Sequence, residues 1–288
     1  MNLENVKARH FPPIFQTYDW RSAALYALSL GMGMDPTDEE ELPYIYEGRD
    51  QRPVPSMCVT LGWPPLWIAE PAMEISWPRV LQGEQRFELH RSLPLGATIR
   101  ASHRVRAVAD KGAGRGAVLY FDTQIEDAAT ETPLASLTAA NFLRDDGGCG
   151  NFGDVPAPLS AFSSRDPPDH ALDYSTLGQA ALLYRLASHD YMPIHADPKL
   201  ARSAGFDRPI AHGLNTLGIA CRAILKLVLP HAPHRLRTMA VRFVSPAFPG
   251  DTIRVELFRR PEGIRFRAWA VERQTLVLDR GRCEISDG

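Results

Sequence analysis

Asp190 and His195 are the two residues of this 288-residue chain whose types and spacing most readily do chemistry. They bracket Pro193 in the run YRLASHDYMPIHADPKLARSAGFDRPIAHGL, residues 184–214. The fixed φ of proline disfavours a continuous helix, and in a helix the i,i+5 spacing would set the two side chains on different faces. A folded loop is the conformation that converges them. Downstream, His212-Gly213 opens the apolar run LNTLGIACRAILKLVL before Pro230, which predicts a buried helix with Gly213 in its first turn. A helix start leaves backbone N–H groups unpaired and carries partial positive charge. Gly213, lacking a side chain, lets a ligand come close to that donor. A carboxylate, an imidazole and a backbone donor are the parts needed to move protons on a carbon beside a thioester carbonyl while its oxygen gains charge.

The remaining chemistry-bearing residues carry less. His231 and His234 follow Pro230 in a surface-loop pattern, and no His-Glu-x-x-His or comparable ligand spacing occurs, so no metal is expected. No Gly-x-Ser-x-Gly elbow is present, which argues against a serine hydrolase. The glycine-rich DDGGCGNFG, residues 145–153, has neither the Gly-Lys-Ser/Thr of a phosphate loop nor the dinucleotide spacing, and reads as an unusual turn. Arg202, Arg208 and Arg222 lie near the Asp190 segment but read as solvated surface, leaving the ligand-contacting residues unassigned.

Composition sets the class. The chain is 44% hydrophobic and 23% charged with net charge -2, ordinary for a globular protein, and it has no basic run that would bind nucleic acid. Cys58, Cys149, Cys221 and Cys283 form no Cys-x-x-Cys pair and read as reduced thiols. No apolar run reaches the eighteen or so residues of a membrane span, nothing looks like a secretion leader, and Ile285-Ser286-Asp287-Gly288 is not a Ser-Lys-Leu address. The expected compartment is the cytoplasm.

The elements that must position the site follow in two sets. Residues 1–14 read as a loose arm, YDWRSAALYALSLGMG as a helix, and the acidic DPTDEEEL as a solvated loop. From Arg86 the period changes to two, with Ile99, Ala101, His103, Val105, Ala107 and Ala109 on one side of a strand; GAVLYFDTQIED and PLASLTAANFLRD continue as strands. Residues 154–173 are the linker candidate, separating an N-terminal half, 1–153, from a C-terminal half, 174–288. The second half closes with four strand patterns, TMAVRFVSP, DTIRVELFRR, GIRFRAWAVE and TLVLDRGRCEI. Each half thus gives helical sequence followed by antiparallel strands, which suggests a duplicated helix-on-sheet unit of α+β class, although the halves share little exact sequence.

The 184–198 segment resembles the signature of the MaoC-like dehydratases, in particular the (R)-specific enoyl-CoA hydratases called hydratase 2, which read Y-R-L-S-G-D-x-N-P-L-H-x-D-P. Tyr184, Arg185, Leu186, Ser188, Asp190, Pro193, His195, Asp197 and Pro198 match; Ala187 is an insertion, His189 replaces a glycine and Met192 replaces an asparagine of the family's catalytic set. A methionine thioether supplies no amide donor or acceptor. The likeness extends to the first half, where hydratase 2 has a Y-D-x-R helix, a Y-x-Y-E segment, a V-x-P-T/S turn and a glycine-rich closing loop.

The resemblance implies a double hot-dog fold with a long helix on a sheet in each half and the full motif only in the second. It implies hydration of a trans-2-enoyl-CoA to a (3R)-3-hydroxyacyl-CoA with Asp190, His195 and Gly213 as the catalytic groups, no cofactor beyond the acyl-CoA substrate itself, and a homodimer. A hot-dog thioesterase and an acyl-CoA-binding protein without turnover stay open as alternatives, the second because of Met192 and His189.

Overall fold

The structure is a computed structural model that describes residues 1–48, 50–162 and 167–286. Its elements in chain order are α1 (Leu3–Ala8), β1 (Ile14–Tyr18), α2 (Trp20–Ser29), α3 (Leu42–Ile45), β2 (Val80–Leu89), β3 (Ala97–Asp110), β4 (Ala117–Asp127), β5 (Pro133–Leu143), β6 (Phe152–Gly153) and β7 (His170–Ser175), followed by α4 (Ala180–Ser188), α5 (Pro198–Ser203), α6 (Gly213–Val228), β8 (Leu236–Phe243), β9 (Thr252–Arg260), β10 (Gly263–Ala270) and β11 (Thr275–Ile285). The strands form one antiparallel sheet in the order β1-β3-β4-β5-β2-β8-β11-β10-β9-β7, with β6 on β3. That order reads the same outward from either side of the β2–β8 seam. Because β2 and β8 pair antiparallel, Glu84 with Arg242 through Glu88 with Thr238, the halves are related by an approximate twofold through the seam.

The duplication is also written in short repeats that the pattern of strands and helices alone does not reveal. Arg52-Pro53 and Thr60-Leu61-Gly62 recur without a gap as Arg208-Pro209 and Thr216-Leu217-Gly218. Gly96-Ala97-Thr98-Ile99-Arg100 at the start of β3 recurs as Gly250-Asp251-Thr252-Ile253-Arg254 at the start of β9. Ala23, Leu25, Tyr26 and Leu28 of α2 match Ala181, Leu183, Tyr184 and Leu186 of α4, and the two tyrosine rings meet with centroids 6.0 Å apart.

The double hot-dog form expected from the sequence is present, with one departure. Helix α6 is buried on every side from Leu214 to Leu225, as a helix wrapped by a sheet must be. The matching place in the N-terminal half holds a short 3-10 turn, Pro55–Thr60, rather than a long helix. All six of its residues are buried, yet Gly62 with φ +66° and Pro64-Pro65 stop the chain from continuing as a helix. Strand β7 begins at His170, inside the stretch read as a linker; residues 163–166 of that stretch lie outside the described residues.

Two readings of the first half change and a third, the glycine-rich turn, holds. The terminal arm folds as α1, which buries Val6 and sets the Met1 amino group 3.1 Å from Asp146. The acidic loop is not wholly solvated: Glu41 is buried and receives Arg222 of α6, itself buried rather than solvated, and Asp38 pairs with Lys226. The glycine-rich loop spends its Gly148 and Gly150 N–H groups on the Asp110 carboxylate at 2.8 Å, so it is a structural turn.

Candidate active site

Helix α4 ends at Ser188 because His189 takes the left-handed conformation, φ +58°, and turns the chain. The next residue, Asp190, donates its N–H to Ser188 Oγ at 3.2 Å, and its Oδ1 accepts the Met192 N–H at 3.1 Å. Pro193 then starts a single 3-10 turn that ends at His195, the folded loop that the proline predicts. Ala196 ends this turn, and Asp197 caps α5 by accepting the Lys199 and Leu200 N–H groups. Its match to the family motif is thus accounted for by capping.

His195 Nδ1 lies 2.9 Å from the Ile210 carbonyl oxygen. A carbonyl only accepts, so Nδ1 carries the proton and Nε2 keeps the lone pair. Burial lowers the His195 pKa below the ordinary histidine value, and the facing Asp190 charge acts in the opposite direction. His195 is therefore a neutral imidazole at neutral pH, able to accept a proton.

His212 lies directly beneath, its ring 3.7 Å from that of His195 at 27°. Its side chain does not cap α6; the residue is buried, with Nε2 4.0 Å from Asp190 Oδ2 and the ring 4.9 Å from that of Tyr184. Burial, then the neighbouring His195, pushes its pKa down to about 2. A group that stays neutral at working pH and packs flat on His195 holds that ring in place rather than taking up a proton itself. The adjacent sequence His212-Gly213 was the only signal for this, and it marked the helix start better than the ring's role.

Gly213 is the first residue of α6, and its N–H donates to no backbone carbonyl among the described residues. The donor is free and carries the positive end of a helix of 16 residues. A Cβ at this position would lie 3.0 Å from the Phe243 ring, so glycine is what allows the helix start and the end of β8 to approach. Asp190, His195 and Gly213, the three residues expected from the sequence, thus come from the turn after α4 and from the start of α6, brought together by the Ile210–His195 bond.

Polar atoms of Asp190, His195 and His212 all lie within 4.8 Å of one another, close enough in number and spacing to raise the question of a metal. The donor geometry does not suit one. Lone pairs lie in the plane of an imidazole, and two rings stacked face to face send them nearly parallel instead of towards one point about 2.1 Å from each nitrogen. The same spacing suits one water, which can hydrogen-bond at about 2.8 Å to two groups that far apart.

The departures from the family motif have different weights. His189 is exposed and its Nδ1 pairs with the Tyr191 hydroxyl at 3.1 Å, turned towards the surface. Met192 is half-buried; its backbone N–H supports the Asp190 carboxylate, and its side chain adds no polar group. Of the arginines flanking the segment, Arg202 and Arg208 are exposed, Arg208 lying 3.5 Å from Asp251.

Comparison with known proteins places this site in context. The MFE-2 hydratase 2 N-terminal domain matches residues 16–145 and the MaoC like domain matches residues 162–279. A peroxisomal enoyl-CoA hydratase 2 of Arabidopsis thaliana is 32% identical over 96% of this chain and 93% of its own length. The crystal structure of a MaoC-like dehydratase from Phytophthora capsici superposes with a TM-score of 0.86 at 29% identity, covering 100% of both chains. A Mycobacterium tuberculosis protein described as a double hot-dog shares the fold at 19% identity, with a TM-score of 0.60 over 94% of this chain and 95% of that one. The chain belongs to the MaoC-like dehydratases, within the branch that pairs a hydratase 2 N-terminal half with a MaoC-like C-terminal half.

Proposed function

We propose that the chain hydrates a trans-2-enoyl-CoA to the (3R)-3-hydroxyacyl-CoA and runs the reverse dehydration. The observation that carries this is the placement of Asp190 and His195, their polar atoms within 4.8 Å of each other, beside the free N–H at the start of α6. A water held between the carboxylate and His195 Nε2 gives one proton to this pair as its oxygen bonds to C3. The C2=C3 electron pair moves towards the thioester, whose oxygen becomes an enolate at the Gly213 N–H. C2 then takes a proton back from the pair and the carbonyl re-forms, so one water is added and nothing is oxidised or reduced. The Gly213 bond strengthens as the oxygen gains charge, which is what lowers the barrier. No cofactor enters this scheme, because the thioester itself supplies the activation.

Loss of enoyl-thioester absorbance with trans-2-enoyl-CoA of several chain lengths, followed by chiral analysis of product, tests the proposal. Turnover to the (3R) product is expected, with Asp190→Asn and His195→Gln each reducing kcat at least a hundredfold and Gly213→Ala about tenfold or more. The acid limb of kcat/KM should lie below the ordinary histidine range, following the lowered His195 pKa. Met192 is the observation that favours an acyl-CoA-binding protein without turnover, since the family amide is absent. Tight binding of enoyl-CoA with no hydration at any length would select that reading. Release of free thiol instead would select a thioesterase.

The buried free thiols Cys58, Cys221 and Cys283 support a reducing compartment, the cytoplasm being the expectation. No helix among the described residues is long and apolar enough to cross a membrane. The exposed leucines of α2 and α4 support a homodimer.

A further inference from the structure

A cavity of about 350 Å³ opens at the other end of the molecule, between the turn Arg52–Pro55, the end of β2 and the start of β8. Helix α6 separates it from the catalytic groups: Gly213 begins the helix, whereas Pro233, His234 and Leu236 of the cavity wall follow its end. Sixteen residues at about 1.5 Å each span roughly 24 Å.

The approximate twofold explains why a cavity lies there. Arg52-Pro53 repeats Arg208-Pro209, and Leu89 ends β2 as Phe243, the residue packed on Gly213, ends β8. The cavity is thus the N-terminal half's counterpart of the approach to the active site. Its catalytic groups are gone: in the repeated segments Ser56 stands for His212, Met57 for Gly213 and Met32 for Asp190. Met32, the counterpart of Asp190 in the repeat, is buried, and with the Glu41–Arg222 pair it lines a separate small pocket.

The cavity wall itself is cationic. Among the described residues of the wall, Arg52, Arg91 and Arg237 face one carboxylate, Asp50, and form no ion pair with it. The side chains of Arg52 and Arg91 have no hydrogen-bond or ion-pair partner among the described residues, and Arg237 donates only to the His90 carbonyl. Elsewhere this acidic chain pairs its arginines freely, as in Arg100–Glu126, Arg254–Asp173 and Arg267–Glu256. The rest of the wall is apolar, with Leu93, Leu236 and three prolines. A lone carboxylate would leave the excess positive charge unmatched, and a bare inorganic anion would leave the apolar wall uncovered. A nucleoside carrying several phosphates answers both.

We propose that this cavity is a second, non-catalytic binding site for the phosphorylated adenosine end of coenzyme A or of its thioesters. The choice of coenzyme A as the carrier rests on the proposed enoyl-CoA chemistry; the charge and shape of the cavity do not. At about 350 Å³ the cavity lies at the small end of ligand sites, matching the nucleotide and leaving the pantetheine arm outside.

Calorimetric titration of the whole chain with free coenzyme A and with adenosine 3′,5′-bisphosphate tests this. Two coenzyme A molecules per chain are expected in the wild type. Arg52→Gln/Arg91→Gln should weaken one site at least tenfold and leave kcat/KM for enoyl-CoA within twofold. Ser92→Trp, which blocks the mouth from an exposed position, should repeat the loss without removing a charge. One site in the wild type, or two sites unchanged in both variants, overturns the proposal. Competition by inorganic phosphate as effective as by the bisphosphate overturns the nucleotide assignment. Hydration with the cavity empty would remove this site alone, and a filled cavity without hydration would remove the hydratase reading alone.

Discussion

His212 shows how one buried ring can serve the site and set a limit on its stability. Its folded pKa is about 2, lowered by burial, whereas in the unfolded chain it titrates near 6.5. Between those values the unfolded state holds a proton that the folded state refuses, so stability falls as pH falls, by up to about 1.4 kcal/mol per unit. Above about pH 6.5 neither state carries the proton, and this residue adds no pH dependence. Lowered in the same direction, His195 steepens the slope in the same acid range. Urea midpoints should therefore hold level from this source above pH 7 and drop steadily from pH 6.5 to 4.5, and His212→Gln should flatten the drop. An undiminished slope in that variant would place the acid sensitivity elsewhere. Asp190, His195 and Gly213 were legible in the sequence because proline and glycine constrain their neighbours locally. The contacts that align them were not: the Ile210 carbonyl is 15 residues from His195, and the stack on His212 exists only once α6 has docked.

Helix α6 was readable because the apolar run between Gly213 and Pro230 is too long for a strand, and the strands after it because their apolar residues recur with period 2. The Pro55–Thr60 turn was not, since PVPSMCVTLGW is apolar throughout and its prolines erase any period. The acidic loop, solvated at Asp35, Glu39 and Glu40 as read, departs from that reading at Asp38 and Glu41 for a different reason. Charge runs are usually solvated, but this one lies against the last turns of α6, and Arg222 reaches it across 181 residues of chain. Both partners are nearly inaccessible, Glu41 at 4% and Arg222 at 7% exposed. In such a pair the loss of one partner costs more than the pair contributes, because the remaining charge is left buried. Glu41→Ala should lose about 3–5 kcal/mol in urea unfolding, whereas Glu41→Leu combined with Arg222→Met should recover most of it. A loss below about 1 kcal/mol in the single variant would mean that water reaches Arg222 when Glu41 is gone.

At the scale of the molecule, the approximate twofold decides which surfaces are left over. It passes between α2 and α4, where Tyr26 meets Tyr184, and it relates Leu28 to Leu186 on the outer faces of those helices. Leu28 is 44% exposed, Leu186 is 57% exposed and Leu182, one turn from Leu186, is 49% exposed. Single exposed leucines are ordinary, but three on two packed helices form the kind of apolar face that associates. The proposed homodimer would use this face: a second copy related by twofold symmetry would offer it a matching surface. Light scattering should give twice the chain mass, and Leu182→Glu/Leu186→Glu should give the mass of one. The three groups proposed to be catalytic come from a single chain, so the monomeric variant should keep kcat within a few-fold. A larger loss would show that α4, which ends two residues before Asp190, needs the partner to hold its last turn in place. A wild-type chain that stays monomeric, or a dimer indifferent to both glutamates, would remove this face from the assembly.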